Sequence, residues 1–306
     1  MIAKLRASIS VANYLLGLHI CSTKMGLIGG FKYTAYLWLC RLWFLVKKNN
    51  FGVLRLQESF DKQGWASFHS LNTKKYCDAL LAEIKKREGL EKSLFDENGI
   101  LTKPLISEAG DKVNLLVTEL EPFLTQIMGS HVKVFYGRLL KSQHSDVRTG
   151  SQIWHADGGP GSCINLLIYL QDTQEQHGAI EIIEFDESKK IFSLETSSFS
   201  NFVASKAEKK RPLKPVAKSE ARKLRDAWYV KYIRNNDCQI IQPTGASGLC
   251  VAFKNNTIHR GGYPGQGLTR YALILHIYPA LSQLDSSEIQ NNGLEKTSAY
   301  PINPAF

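Results

Sequence analysis

Alternating apolar and polar positions organise the second half of the chain. Arg270-Tyr-Ala-Leu-Ile-Leu-His-Ile-Tyr278 reads as a strand, and period two places Arg270, Ala272, Ile274, His276 and Tyr278 on one face. Val132-Lys-Val-Phe-Tyr-Gly-Arg-Leu-Leu140 alternates as well. Lys133, Phe135 and Gly137 share one of its faces and Val134, Tyr136 and Arg138 the other, so the pattern leaves the inward face undecided. Residues 164–170 and 248–253 are apolar and β-prone, as buried strands are. Residues 63–68 form a shorter strand. Helical spacing governs other stretches. Residues 72–86 open on Asn72, a capping residue, and carry Tyr76, Leu80 and Ile84 at helical intervals. Residues 113–128 carry Leu116, Val117, Leu120, Leu124 and Ile127, with Pro122 among them, so a kink or two short helices fit as well as one straight helix. Residues 219–233 read as a helix capped by Ser219. Helices ahead of a run of strands suit a barrel backed on one side by helices.

Charge divides the chain further. The formal net charge is +10, and residues 1–57 hold eight Lys and Arg with no Asp or Glu, which is +8 in that segment alone. The expected organisation is a basic amphipathic extension at 1–57, a main domain at 58–282 with a basic insertion at about 186–237, and a polar tail at 283–306. The insertion is a mobile solvated loop or a lid that attracts anionic substrates. Residues 35–46 are the most apolar run, but the run is too short to span a bilayer and holds Arg41. Such a helix either packs on the main domain or lies on a membrane surface as a peripheral contact. Residues 9–21 have some features of a secretory signal, but Asn13 and His19 interrupt them. The six cysteines are scattered without a C-x-x-C pair, which fits reduced thiols and a cytoplasmic setting, membrane-peripheral if 1–57 meets lipid.

The candidate chemistry lies at Trp154-His155-Ala156-Asp157, His259 and Arg270. Residues at i and i+2 of a strand point the same way, so His155 and Asp157 can reach one cation while Ala156 points away. With His259 they form a 2-His-1-carboxylate set, the usual ligand set of non-haem Fe(II) oxygenases, which leaves positions open for other ligands. A cupin holding a different metal would need H-x-H instead. The glycine-rich Gly261-Gly-Tyr-Pro-Gly-Gln-Gly267 then turns the chain back towards Arg270, whose planar fork suits a carboxylate.

In these pieces the chain resembles the 2-oxoglutarate/Fe(II)-dependent dioxygenases, and most of all their phytanoyl-CoA dioxygenase-like branch. The matching pieces are the W-H-x-D at Trp154–Asp157, the apolar strand and turn Ile164-Asn-Leu-Leu-Ile-Tyr-Leu-Gln-Asp172, and Gly178-Ala-Ile-Glu-Ile-Ile183. The others are residues 248–253, His259-Arg-Gly-Gly262, and Arg270 eleven residues after His259. The likeness runs from about residue 59 to 280. Two positions depart from it: Gly261 stands where some members carry a Ser that helps hold the co-substrate, and Leu249 replaces a usual acidic residue.

The resemblance implies a mainly β fold with flanking helices, a double-stranded β-helix (jelly-roll, cupin-like) barrel. It implies Fe(II) held by His155, Asp157 and His259, and 2-oxoglutarate as co-substrate with its far carboxylate on Arg270. It also implies O2 as oxidant, with ascorbate as an accessory reductant. Asn165 and Tyr169, on the inner face of their strand, are either co-substrate contacts or satisfied buried polar groups. His276 shares the Arg270 face and is a substrate contact or a core histidine. The expected reaction is hydroxylation of a small-molecule or lipid-, CoA- or sugar-linked substrate, with release of succinate and CO2. Asp157 favours hydroxylation, because halogenating relatives carry a small residue there. A nucleic-acid-directed demethylase is the less favoured reading, because that branch places two arginines in a denser pattern after the distal His. A non-catalytic docking protein would be suggested by the loss of a ligand, and none is lost.

Overall fold

The computed structural model describes residues 26–48, 52–70, 72–91, 94–95, 107–145, 150–157, 163–194 and 218–284. The expectations for residues 9–21, for the basic run at 206–217 and for most of the tail fall outside them.

Among the described residues, eight antiparallel strands make two sheets. The larger has the order β1 (Trp65–Phe68), β6 (Cys250–Lys254), β3 (Ile164–Tyr169), β8 (Thr269–Ala280), β2 (His131–Gln143). The smaller has the order β5 (Ile240–Ile241), β4 (Glu181–Ile183), β7 (His259–Arg260). A single antiparallel bridge between His155 and His259 adds one more segment at its edge.

The period-two patterns sort side chains between two cores. Ile164, Leu166 and Ile168 of β3, with Leu273, Leu275 and Ile277 of β8, face the helices. There they meet α3 (Thr73–Leu90) through Cys77, Leu80 and Ile84, and α4 (Ser107–Met128) through Leu116, Leu120 and Leu124. Leu167, Tyr169, Val251, Phe253 and Ala272 point the other way and meet Ala179, Ile180 and Ile182 between the sheets. Burying each large apolar side chain stabilises the fold by roughly 1.5–3 kcal/mol. The inner face of β8, with Arg270, Ala272, Ile274 and His276, is the face the alternation predicts.

Several local readings change. Of the alternatives left open at Pro122, the structure has one continuous helix, α4, from Ser107 to Met128. Asn72 sits at the N-cap position of α3, but its side chain caps nothing and donates instead to Glu119 Oε2 at 3.3 Å. β2 carries a register shift between Val134 and Tyr136, which resets its alternation. Lys133 is exposed, whereas Arg138 and Ser142 face the interior cavity.

α1 (Gly26–Lys48) packs on the main body through one face: Leu37, Cys40, Arg41 and Phe44 are buried. Phe44 stands edge-on to the His131 ring at 5.1 Å. Arg41 Nε donates to Met128 O at 2.9 Å, and Nη1 pairs with Asp61 at 3.1 Å. Asp61 also pairs with Lys254 at 2.9 Å. Burial would raise the Asp61 carboxyl, but Lys254 and Arg41 outweigh it and hold it below its ordinary value. α2 (Gly52–Gln63), which carries Asp61, runs across residue 57, where the sequence puts the boundary of the extension.

The insertion contributes α5 (Phe185–Leu194) and α6 (Lys218–Asn235). Tyr229 and Ile233 of α6 pack with Ile191, Trp154, Ile183 and Ile258 in a third apolar cluster. The described part of the insertion therefore buttresses the smaller sheet. Among the described residues, Cys40, Cys77, Cys163, Cys238 and Cys250 form no disulfide. Among the described residues no helix is long and apolar enough to cross a membrane.

Candidate metal centre

His259 is placed by β7, which pairs with Ile182 of β4 on one side and with His155 on the other. The His155–His259 bridge is two-way: each backbone N–H donates to the other's carbonyl, at 3.0 and 2.9 Å. The Asp157 N–H donates to Asn255 O at 3.0 Å. The H-x-D segment is thus not a strand. It forms one bridge at His155 and then departs, preceded by a 3-10 turn at Gly150–Gln152. Its two side chains still converge, because backbone bonds to β7 and to the turn before it fix both ends.

His155 Nε2 lies 3.9 Å from Asp157 Oδ1, and His259 Nε2 lies 3.6 Å from Asp157 Oδ2. One ligand atom from each of the three residues falls within 4.8 Å of the others. The second ring nitrogen of each histidine is already committed. His155 Nδ1 is 2.7 Å from Ile153 O, and His259 Nδ1 is 2.9 Å from Thr257 O. A carbonyl can only accept, so both protons sit on Nδ1 and both Nε2 lone pairs face the carboxylate. This is the tautomer a metal ligand needs.

Protonation follows the same direction. Burial, together with the nearby His155, drives His259 down from 6.5 to about 4 against the opposing pull of Asp157. Burial would raise the Asp157 carboxyl, but His259, His155, His276 and the Asn165 amide outweigh it and hold it below its ordinary value. At neutral pH His259 is neutral and Asp157 anionic, as cation binding requires. The donor set of two imidazoles and one carboxylate fits a first-row divalent metal with coordination positions to spare.

The cluster opens on a cavity of about 1000 Å³. His155, Asp157, His259, Arg270 and His276 all line it, with Arg138, Ser142 and His144 from β2 and the residues after it. Arg270 is buried, and among the described residues no carboxylate pairs with it. Its Nη1 donates to Gly178 O and its Nη2 to Ser142 Oγ at 3.0 Å, while its Nε has no hydrogen-bond partner among the described residues. A buried guanidinium without a counter-charge costs several kcal/mol unless a ligand anion supplies one. The orphan Nε therefore fits a carboxylate entering the cavity.

The two flanking candidates divide. Asn165 spends its amide N–H on Asp157 Oδ2, and its Oδ1 is buried without a partner. Like Asn165, Tyr169 does not line the cavity. Its hydroxyl donates to Pro243 O at 3.1 Å and accepts from the Ile180 N–H at 3.0 Å, which steadies the segment whose Gly178 carbonyl holds Arg270. Gly261 lines the cavity against Arg270: a Cβ there would stand 3.3 Å from Nη2. Next to it, a Cβ on Gly262 would meet the Ala179 carbonyl at 2.0 Å, which no side chain survives.

Sequence reasoning missed three supports. Ser142 was within reach, had the alternation of β2 been followed past Leu140. Asp226 was not: it lies 72 residues from Trp154, yet its Oδ1 accepts the Trp154 N–H at 2.7 Å, one residue before His155. Arg260 ties β7 to β4 through Glu181, with Nε–Oε2 at 2.8 Å, and lies 4.4 Å over the Trp154 ring.

No known family profile and no curated protein matches the sequence. Solved structures do. The epimerase SnoN, in complex with Fe3+, alpha ketoglutarate and nogalamycin RO, superposes with a TM-score of 0.50 at 12% identity, covering 78% of this chain and 89% of that one. EctD from S. alaskensis with 2-oxoglutarate and 5-hydroxyectoine gives 0.44 at 15%, over 74% and 75%. The carbocyclase SnoK from nogalamycin biosynthesis gives 0.46 at 15%, over 76% and 84%. At such identities the SnoN match speaks for the fold alone. The two antiparallel sheets and their flanking helices are thus a double-stranded β-helix, the fold shared with SnoN, with His155, Asp157 and His259 gathered at its cavity.

Proposed function

We propose that the chain is a non-haem Fe(II)/2-oxoglutarate-dependent oxygenase that hydroxylates a small-molecule or lipid-, CoA- or sugar-linked substrate. The observation that carries this reading is a single cavity holding two complementary parts: a metal-ready His-Asp-His cluster and a buried Arg270 with an unspent donor. His155, Asp157 and His259 would hold the iron, and Arg270 the far carboxylate of 2-oxoglutarate. Bound together, iron and 2-oxoglutarate supply O2-driven oxidation of a substrate C–H bond, with 2-oxoglutarate leaving as succinate and CO2.

The residues of the chain do the rest. Asn165 orients the Asp157 carboxylate, and the Ile153 and Thr257 carbonyls fix the imidazole tautomers. Gly178 and Ser142 fix the Arg270 plane, so that its charge-assisted bonds, worth roughly 1.5–3 kcal/mol each, are aimed before the ligand arrives. Arg138, His144 and His276 present polar groups to the remaining space, which suits a substrate with polar or anionic groups.

The test is succinate formation from 2-oxoglutarate by purified protein supplied with Fe(II), O2 and ascorbate. Enzymes of this type turn over slowly without substrate, so a low rate that disappears in Asp157→Ala is the expected result. Equal rates in both proteins contradict the proposal.

A further inference from the structure

We propose that the outward face of α1 docks on the surface of an anionic lipid bilayer. The helix has two apolar faces. Leu37, Cys40, Arg41 and Phe44 recur at helical spacing and pack inwards. Trp38, Leu39, Leu42, Trp43 and Val46 recur beside them and face solvent, with Trp38 64% exposed, Leu42 61% and Val46 69%. Among the described residues ten large apolar side chains are exposed, and five of them lie within these nine positions. Single exposed hydrophobics are ordinary, but a contiguous stripe marks a contact surface.

Charge decides which contact. Residues 1–57 carry eight cations and no acid, and α1 ends on Lys47-Lys48. Arg41 is committed to Asp61, so the positive charge that can serve a partner comes at most from the other seven. Two copies meeting through this face would set two strongly positive segments against each other, so a second copy is disfavoured. Residues 1–25 hold three of these eight cations and no acid, so they offer no complementary charge either. An anionic bilayer does: its headgroups attract cations while the acyl boundary takes apolar side chains to a depth of roughly 5–10 Å. Tryptophan suits that boundary, being apolar in body with one N–H to leave in the wet layer.

The placement also fits a docked enzyme. α1 meets β2 at His131, whereas the cavity is lined from Arg138 onwards, seven residues or roughly 20 Å along the strand. Docking through α1 therefore holds the protein at the membrane without burying those cavity residues.

The experiment is co-sedimentation of the full chain with phosphatidylcholine vesicles, with and without phosphatidylserine. The wild type is expected in the pellet only with phosphatidylserine, and to leave it as salt is raised. Joint Trp38→Glu and Trp43→Glu substitution should weaken partitioning about tenfold or more, with the circular dichroism spectrum and Tm unchanged. Lys47→Glu with Lys48→Glu leaves the apolar stripe intact and should also weaken it. Quenching of tryptophan fluorescence by brominated lipid reports insertion in the wild type without any substitution. Wild type remaining in solution with both vesicle types overturns the proposal. So does undiminished binding by the double tryptophan variant. A dimer by light scattering that only the tryptophan variant dissociates, without vesicle binding, would assign the face to a second copy instead.

Discussion

The two ends of the candidate site are finished to different degrees. At the metal end the inner histidine nitrogens are held by carbonyls, and Asp157 is oriented by Asn165. At the other end Arg270 is aimed by Gly178 and Ser142 but keeps one buried donor unmet and has no counter-charge among the described residues. The protein fixes the geometry of its metal ligands in advance and leaves a charge deficit where an organic anion must enter. Affinity for metal should therefore depend on the supporting hydrogen bonds, and the grip on the anion's far carboxylate on Arg270.

The largest expected effect comes from breaking the metal end. His259→Ala should weaken Fe(II) binding by more than about 100-fold, since losing even a supporting partner of a ligand typically costs 10–100-fold. Equilibrium dialysis against Fe(II) under nitrogen reads it. Arg270→Gln should weaken 2-oxoglutarate binding by about 100-fold, equivalent to roughly 3 kcal/mol, with Fe(II) affinity unchanged. An equal loss of both would show that the two ends are not separate.

Asn165→Leu sharpens the division. If the amide serves Asp157, Fe(II) affinity falls about tenfold while the 2-oxoglutarate requirement of the iron-loaded protein stays constant. The opposite split would make Asn165 a co-substrate contact. Gly261→Ser tests the crowded side of Arg270. The added Cβ stands 3.3 Å from a guanidinium that two hydrogen bonds hold still, so 2-oxoglutarate binding should weaken by a few-fold, about 1 kcal/mol or less.

The smallest effect is in pH. His259 takes a proton only at about 4 in the folded chain, against 6.5 for a free imidazole. Between those values the unfolded chain binds more protons, so His259 makes the metal-free protein less stable as pH falls from 6.5 towards 4. Asp157, held below 3.8, contributes its stability throughout that window and loses it only at lower pH. Tm followed from pH 7 to pH 5 should drop less steeply in His259→Gln than in the wild type. Parallel slopes would show that His259 is not held neutral by burial.

Much of this site was legible because it is written in short periods. The inner face of β8, the buried β3 and β6, and the W-H-x-D with its distant His and Arg follow from spacing and residue type. What stayed hidden depends on contacts between distant segments. The bridge that replaces a strand at His155 exists because β7 offers its edge there. The interior face of β2 is set by an irregularity at Val134/Tyr136 that no alternation announces. Asp226 reaches Trp154 only once α6 has packed through Tyr229 and Ile233. Gly261 stands where some members of the resembling family carry a Ser, and its closeness to Arg270 is visible only once the fold brings the two together.

The central claim, that one cavity binds Fe(II) and 2-oxoglutarate together, is tested most directly by an anaerobic titration. Fe(II) is added to the purified protein, then 2-oxoglutarate, and the visible spectrum is followed for the weak charge-transfer band of the chelate. The account predicts a band in the wild type, no band in His259→Ala, and a band in Arg270→Gln only at far higher 2-oxoglutarate. A protein that binds Fe(II) stoichiometrically and never develops the band would contradict it.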